Sequence, residues 1–406
     1  MTTDTTQRIY FKNLDILRFF AAYMIVILHS YFGWQTQFGN PNFIKTMTPY
    51  RTEKLETLFG NFCSGVDIFF VISGFLITYL LLAEKDKMGK VDVVKFWIRR
   101  AFRIWPLYFL ILLIGPLLTY FYGEQEPGYL YHFFFAGNFD ILYNGTKSVA
   151  TDHLWSICIE EHFYLICPLL VAFIPLKRLP EVLLSIVALT ILFRAYLATQ
   201  VPMYGSAVYV HTLSRIDVLA IGSLFGYLAY NKRISFNHNA AIRLLVYGIF
   251  IFMFVTEKYT DTSTFFNATI KKYFYVSVMV YWVGNFMFNP KVFFPITQTN
   301  IFHHFGKVSY GMYMFNPIII FIVLKAFDKF HITNYLLYVA LVNATLAAVC
   351  YVSYKFYEIP FLALKEKYSV VKSGDEVKIA TDSGETITPE VTPEIIPVNV
   401  SDKPTE

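Results

Sequence analysis

Charged residues are scarce in this sequence: Asp, Glu, Lys and Arg together make up 16% of its 406 residues, while 56% are hydrophobic. An average soluble domain carries about 25% charged residues. The composition therefore excludes an ordinary soluble enzyme and indicates an integral membrane protein with several spans. The net charge of +5 is small, and its distribution argues for membrane topology, not for nucleic-acid binding.

Cysteine is scarce as well. Cys63, Cys158, Cys167 and Cys350 lie in or beside apolar segments, and their spacing is not that of metal ligands. We therefore expect neither a disulfide framework nor a metal site. A cleavable signal pattern is also missing, because the first apolar segment is long, contains Arg18 and has no small-residue cleavage site behind it.

Apolar runs of about 20 residues, long enough to cross a bilayer, are abundant. Ten of them lie at residues 14–32, 62–83, 103–122, 157–175, 181–199, 215–230, 242–257, 273–289, 308–327 and 334–357. The sequence thus predicts an all-α integral membrane protein, a bundle of about ten transmembrane helices. No internal repeat is visible, so the inverted-repeat signature of many transporters is not seen.

Lys and Arg in the connections orient these spans. With a cytoplasmic N-terminus, the inner connections contain 18 Lys and Arg residues and the outer ones eight, which predicts that both termini are cytoplasmic. Residues 1–13 are then a cytoplasmic N-terminus, 14–365 the transmembrane domain and 366–406 a cytoplasmic tail whose composition is typical of disorder. The outer loops 33–61 and 123–155 are the longest, and we expect an acceptor to be met there.

The first span contains three ionisable residues, Asp15, Arg18 and His29. Eleven helical steps separate Arg18 from His29, so both point to within about 20° of the same face, about 16 Å apart along the axis. Ionisable groups at membrane depth usually face a bundle interior or a watery cavity and serve a function. The alternative is that they lie at the two interfaces without a chemical role.

Asp67 begins the second span, in GVDIFFVISGFLI. If the first two helices are antiparallel neighbours, Asp67 is level with His29, and a carboxylate there would fix the imidazole tautomer and raise its basicity. The alternative is a solvated acid stabilised by the helix dipole.

Arg99, Arg100 and Arg103 begin the third span, in FWIRRAFRIWPLYF. Such a cluster is most often a topology signal, but guanidinium groups also bind phosphates bidentately. Together with Arg18 on the same side, the cluster favours a phosphate-bearing cytosolic ligand.

The fourth span carries Glu160, Glu161 and His162 on the outer half of an apolar helix. Adjacent helical residues point about 100° apart, so only one of the acids can aim squarely into a site. We select Glu160 and leave the role of His162 open.

Polar residues also occur in the sixth and ninth spans. We expect Arg215 and Asp217 to pair with each other at the interface. Ser309, Tyr310 and Asn316 lie in a stretch interrupted by a proline, which predicts a kinked segment lining a cavity.

Six stretches in order resemble the membrane acyltransferase-3 family. They are LDILRFFAAYMIVILH, GVDIFFVISGFLIT, FWIRRAFRIWPLY, HLWSICIEEHFYL, RIDVLAIGSLFGYL and GKVSYGMYMFNPIII. The resemblance covers about residues 14–365 and implies a ten-helix core that moves acyl groups, usually acetyl, from a cytosolic thioester to hydroxyls of extracytoplasmic glycans.

The resemblance places the family's first-helix arginine and histidine at Arg18 and His29, its arginine pair at Arg99 and Arg103, and its fourth-helix glutamate at Glu160. The sequence departs from the family pattern at three positions. Ile16 replaces a usual glycine, Phe19 stands where a small residue is common, and His162 stands where Gln is common.

The resulting interpretation is a multi-pass O-acyltransferase of the plasma membrane that uses acetyl-CoA or another acyl-CoA. Arg18, Arg99, Arg100 and Arg103 would bind the donor phosphates, and His29 would deprotonate a glycan or glycolipid hydroxyl, with Asp67 or Glu160 orienting it. Besides donor and acceptor, membrane lipid is the expected partner. The alternatives are a transporter or flippase with a buried proton or substrate pathway, and an envelope assembly component that binds glycans.

Overall fold

The computed structural model describes residues 9, 11, 13–45, 47–123, 125–145, 148–199, 204–234, 239–261, 264–288 and 301–371. Every regular element in this part of the chain is a helix. The all-α prediction is therefore confirmed for these residues. The predicted disordered tail lies outside the described residues beyond position 371.

Seventeen α-helices are described. In chain order they are α1 Leu14–Phe38, α2 Asn42–Lys45, α3 Pro49–Asn61, α4 Gly65–Met88, α5 Val93–Tyr122, α6 Tyr129–Phe133, α7 Gly137–Asn144, α8 Trp155–Phe173, α9 Leu179–Leu197, α10 Tyr204–Val210, α11 Thr212–Tyr230, α12 Ala240–Thr256, α13 Lys272–Phe288, α14 Ile301–Lys307, α15 Ser309–Lys329, α16 Tyr335–Ser353 and α17 Ile359–Lys367. Short 3₁₀ segments lie at Phe62–Ser64, Asp152–Leu154 and Leu176–Arg178, and π-helical segments at Asn267–Lys271 and Tyr354–Glu358.

Within the described residues, eight helical stretches are long and apolar enough to cross a membrane. They are Leu14–Phe38, Pro49–Met88, Val93–Tyr122, Asp152–Phe173, Leu176–Leu197, Gly205–Tyr230, Ser309–Lys329 and Tyr335–Lys367. Each overlaps one of the ten predicted spans. The other two predicted spans, 242–257 and 273–289, correspond to α12 and α13, which have 17 residues each.

Glycines bring the backbones of α4 and α11 into close contact at the centre of the bundle. A Cβ on Gly74 would overlap the carbonyl oxygen of Leu219, and a Cβ on Gly222 would overlap that of Val71. Small residues allow this approach, which is common where helices associate in membranes. Of this tightly packed pair, α4 contributes residues to the cavity described below.

The loop between α5 and α8 contains a buried imidazole beside a hydrogen-bonded carboxylate. The His132 side chain is fully buried and its Nε2 lies 4.0 Å from Asp140 Oδ2. Asp140 also accepts hydrogen bonds from the Gly128 backbone N–H, at 2.7 Å, and from Asn144 Nδ2, at 2.7 Å. Because burial disfavours the charged imidazolium, the pKa of His132 lies at about 4, below its ordinary 6.5.

Acidification should therefore destabilise this loop. The unfolded chain protonates His132 below pH 6.5, whereas the folded chain does so only near its pKa of about 4. Between these pH values, this difference in His132 protonation lowers the free energy of unfolding by about 3 kcal/mol. Thermal unfolding in detergent from pH 7 to pH 4 measures it, and the fall should be shallower in His132→Gln. An equal fall in that variant would show that other groups carry the effect.

Candidate functional site

A cavity opens between α1, α4, α5, α8 and α15. Its empty volume, including the part open to solvent, is about 750 Å³. Three arginines, Arg18, Arg100 and Arg103, line it together with hydroxyl and carboxylate groups. The polar residues in its wall are Ser73, Ser156, Glu160, Tyr164, Ser309, Tyr310 and Tyr313.

The cavity runs lengthwise through the bundle. On α4 its wall extends from Val66 to Leu76, ten helical steps or about 15 Å. On α8 it extends from Ser156 to Tyr164, about 12 Å. Leu76 and Tyr164 lie beside the arginines, which we call the arginine end, because Arg100 packs on the Tyr164 ring at 5.4 Å.

The opposite end of the cavity is made of two hydroxyl groups. Ser156 Oγ and Tyr313 OH are 2.6 Å apart, and Tyr313 OH donates to the carbonyl oxygen of His153 at 2.7 Å. We call this pair the hydroxyl end.

Glu160 lies in the wall between the two ends. Ser73 Oγ donates to its Oε1 at 3.1 Å, and Tyr164 OH donates to its Oε2 at 2.6 Å. Glu161 instead accepts a hydrogen bond from Trp105 Nε1 at 3.1 Å. Of the two adjacent acids, Glu160 is thus the one that lines the cavity.

A second cavity, of about 540 Å³, joins the arginine end. Leu76, Arg100 and Arg103 line both cavities, so the two are adjacent. Lys365 and Ser369 contribute to the second one from the far end of the described chain.

Arg99 lines only the second cavity and is already engaged. It donates to Glu84 Oε2 at 2.7 Å and to the carbonyl oxygen of Tyr368 at 3.0 Å. The predicted arginine cluster is therefore brought together, but its members differ in their contacts.

His29 lies on the same continuous helix as Arg18, about 16 Å further along it. The residue as a whole is half-buried, and its Nδ1 is 2.6 Å from Asn316 Oδ1 on α15. Asn316 follows Tyr313 by one helical turn. His29 is not among the described residues that line the first cavity.

Asp67 has partners other than the expected His29. Its side chain is 0% exposed and accepts hydrogen bonds from Arg215 Nη2, at 2.7 Å, and from Tyr259 OH. The hydrogen-bonding partner expected for the imidazole is thus supplied by an amide, that of Asn316. A catalytic role for Asp67 stays a prediction.

The expected pairing of Arg215 with Asp217 is wrong. Arg215 pairs with Asp67 of α4, and Asp217 pairs with Arg194 of α9 at 2.8 Å. These groups are almost fully buried. Two residues apart on a helix, Arg215 and Asp217 point about 200° away from each other, so each meets a different neighbouring helix.

The sequence analysis missed some residues of the cavity wall although their helical spacing could have revealed them. Ser156, Glu160 and Tyr164 are spaced i, i+4, i+8 and therefore share one helix face. Extending the prediction from Glu160 by one turn in each direction would have found both neighbours. Lys365 and Glu84 had no comparable signal, because their positions depend on how distant segments pack.

The sequence also matches those of known proteins. A family model described as an acyltransferase domain, that of acyltransferase family 3, matches residues 11–355. The chain belongs to the acyltransferase-3 family. With eight candidate spans among its described residues, it is a multi-pass membrane protein of that family.

Curated relatives include O-acetyltransferase OatA from three strains of Staphylococcus aureus. The proteins of strains NCTC 8325 / PS 47, COL and MRSA252 are each 26% identical to this chain over 384 residues. The alignments cover 86% of this chain and 57% of each relative, so the chain spans little more than half the length of these proteins. No solved structure matches the chain.

Proposed function

We propose that this protein is an O-acetyltransferase of the plasma membrane. It transfers acetyl, or another acyl group, from cytosolic acyl-CoA to a hydroxyl of an extracytoplasmic glycan or glycolipid, such as a cell-surface polysaccharide. The observation that carries this proposal is the placement, in a member of the acyltransferase-3 family, of a cationic cavity end and an imidazole about 16 Å apart along one helix.

The arginine end suits the phosphates of CoA. Arg18, Arg100 and Arg103 converge there from α1 and α5, and Lys365 adds a fourth cation in the adjoining cavity. Planar guanidinium groups bind phosphate oxygens in pairs. The positive-inside pattern of the connections supports a cytosolic location for this end.

The length of the first cavity suits the pantetheine arm. The arm would extend from the arginine end past Glu160. The Glu160 carboxylate can accept hydrogen bonds from the amide N–H groups of the arm. We place the thioester beyond the hydroxyl end, near Asn316 and His29, one helical turn from Tyr313 along α15.

Transfer itself needs one base. His29 takes the proton of the acceptor hydroxyl while the hydroxyl oxygen bonds to the thioester carbonyl carbon. The carbon–sulfur bond then breaks, and the leaving CoA sulfur takes up the proton. Because His29 is only half-buried, we place the acceptor on its accessible side, outside the cavity.

Purified protein in detergent, given acetyl-labelled acetyl-CoA and candidate glycans, tests this proposal. Label should appear on the glycan as an O-linked ester. A transporter would neither transfer nor hydrolyse the label, and a glycan-binding assembly component would not bind the donor. Mass spectrometry of surface glycans from cells with and without the gene identifies the acceptor.

Replacing Arg103 should weaken donor binding, because Arg103 lines both cavities. Arg103→Lys keeps the charge but loses the planar fork, so we expect the acetyl-CoA Kd to rise about tenfold, and about 100-fold in Arg103→Ala. Equilibrium binding of labelled acetyl-CoA measures both. Arg178→Lys, at an exposed arginine, is the control. An unchanged Kd in Arg103→Ala would reduce the cluster to a topology signal.

A further inference from the structure

Asn316 is the hydrogen-bonding partner of His29, and its own amide group is held in one orientation. Its side chain is fully buried. Its Nδ2 donates to the carbonyl oxygens of Met312, at 2.9 Å, and Tyr313, at 2.7 Å. Carbonyl oxygens only accept, so this end of the side chain must be the NH₂ group.

Pro317 explains why this orientation is stable. In an uninterrupted helix the N–H of residue 317 would bond to the carbonyl oxygen of Tyr313, but proline has no N–H. The Asn316 side chain supplies that missing donor. Turning the amide over would leave the Tyr313 carbonyl without this hydrogen bond inside a buried helix, which is costly.

The orientation of Asn316 dictates the state of the neighbouring ring. Its Oδ1 faces His29 Nδ1 at 2.6 Å. An amide oxygen can only accept, so Nδ1 must carry the hydrogen of the neutral imidazole. The lone pair is then on Nε2, which is the nitrogen available to take a proton.

We infer that Asn316 is a positioning residue that holds His29 in the Nδ1–H tautomer and so makes Nε2 the base. This inference rests on the proposed function, in which His29 deprotonates the acceptor. The device differs from an acid–imidazole pair, because a neutral amide orients the ring without adding a negative charge beside it. Among the described residues, the titratable group that interacts with His29 is His153, on the 3₁₀ segment before α8.

Four variants test the role of Asn316. Asn316→Leu has similar volume but no acceptor, and Asn316→Ala removes the amide altogether. Asn316→Asp keeps an acceptor oxygen and adds a charge. Asn343→Ala is the matched control, because Asn343 Nδ2 also donates to a helical carbonyl oxygen, that of Val339 at 2.8 Å.

Transfer and donor binding should respond differently. We expect kcat for transfer to fall at least about tenfold in Asn316→Leu and Asn316→Ala, because a mispositioned base loses much of its contribution, with the acetyl-CoA Kd unchanged. Asn316→Asp should recover part of the activity, and the acid limb of its pH–rate profile should move to higher pH by about one unit, because the new carboxylate favours the charged ring. Asn343→Ala should resemble the wild type. Equal losses in all three Asn316 variants, without a shift of the limb, would overturn the inference.

A spectroscopic measurement is independent of transfer. In protein labelled with ¹⁵N-histidine, the nitrogen shifts of His29, assigned by their loss in His29→Gln, should show hydrogen on Nδ1 in the wild type and a mixture of tautomers in Asn316→Leu. Hydrogen on Nε2 in an active wild type would overturn the inference and leave the proposed function standing. Absence of transfer by a wild type that shows the Nδ1–H tautomer would instead contradict the proposed function.

Discussion

His29→Ala should reduce transfer to the acceptor by about 10²- to 10⁴-fold, the usual contribution of a positioned general base. Binding of acetyl-CoA should be nearly unchanged, because residue 29 lies about 16 Å along α1 from Arg18 and the arginine end. Single-turnover transfer and equilibrium donor binding, measured on the same preparation, would separate the two effects. This separation is the result that distinguishes an enzyme from a transporter.

His162→Gln is the matched control for His29→Ala. Gln is common at this position in the family that the sequence resembles. A Gln side chain can also keep the contact that His162 Nδ1 makes with Thr212 Oγ1 at 2.8 Å. We expect less than a tenfold change in transfer. Full activity in a stable His29→Ala protein would exclude His29 as the base and move that role to Glu160 or His162.

Asp67→Ala should be the most destabilising of the substitutions considered, at about 3–5 kcal/mol. It leaves the guanidinium of Arg215 buried without its carboxylate partner. Arg215→Met should cost a similar amount for the converse reason, whereas the double variant Asp67→Ala/Arg215→Met should recover much of the loss, since no buried charge of the pair then remains. Denaturant unfolding in detergent measures all three.

Glu257→Ala provides the comparison, because this exposed acid pairs with Lys271 at 3.6 Å and such pairs contribute at most about 1 kcal/mol. A similar loss in Glu257→Ala and Asp67→Ala would argue against a special role for the buried pair. If Asp67→Ala were instead stable but inactive, with a shifted pH–rate profile, the predicted catalytic role of Asp67 would be supported.

The helices of the site follow from local properties of the sequence. The length of an apolar run determines whether a helix can cross a bilayer, and eight of the ten predicted spans meet that criterion in the described chain. Helical periodicity placed Arg18 and His29 on one face of α1. The same periodicity allowed only one of two adjacent acids to face the site, and Glu160, the one selected, lines the cavity.

The partners of the ionisable groups follow from contacts between distant segments. Arg215 and Asp67 are 148 positions apart, and His29 and Asn316 are 287 apart. A single sequence does not indicate which distant residues pair. Many antiparallel arrangements of ten similar helices would bury these residues equally well. For this reason the nearest opposite charge, Asp217, was the wrong partner for Arg215.

The sequence by itself determined the membrane class, most of the spans, the family and the residue types at both ends of the site, because these depend on composition, run length and short motifs. Only the tertiary structure decided that Asp67 closes a buried ion pair, that Asn316 faces His29, and that Lys365 joins the arginine end. Helices pack by fitting side chains and glycine-lined backbones together, and that fit depends on all the neighbouring helices at once.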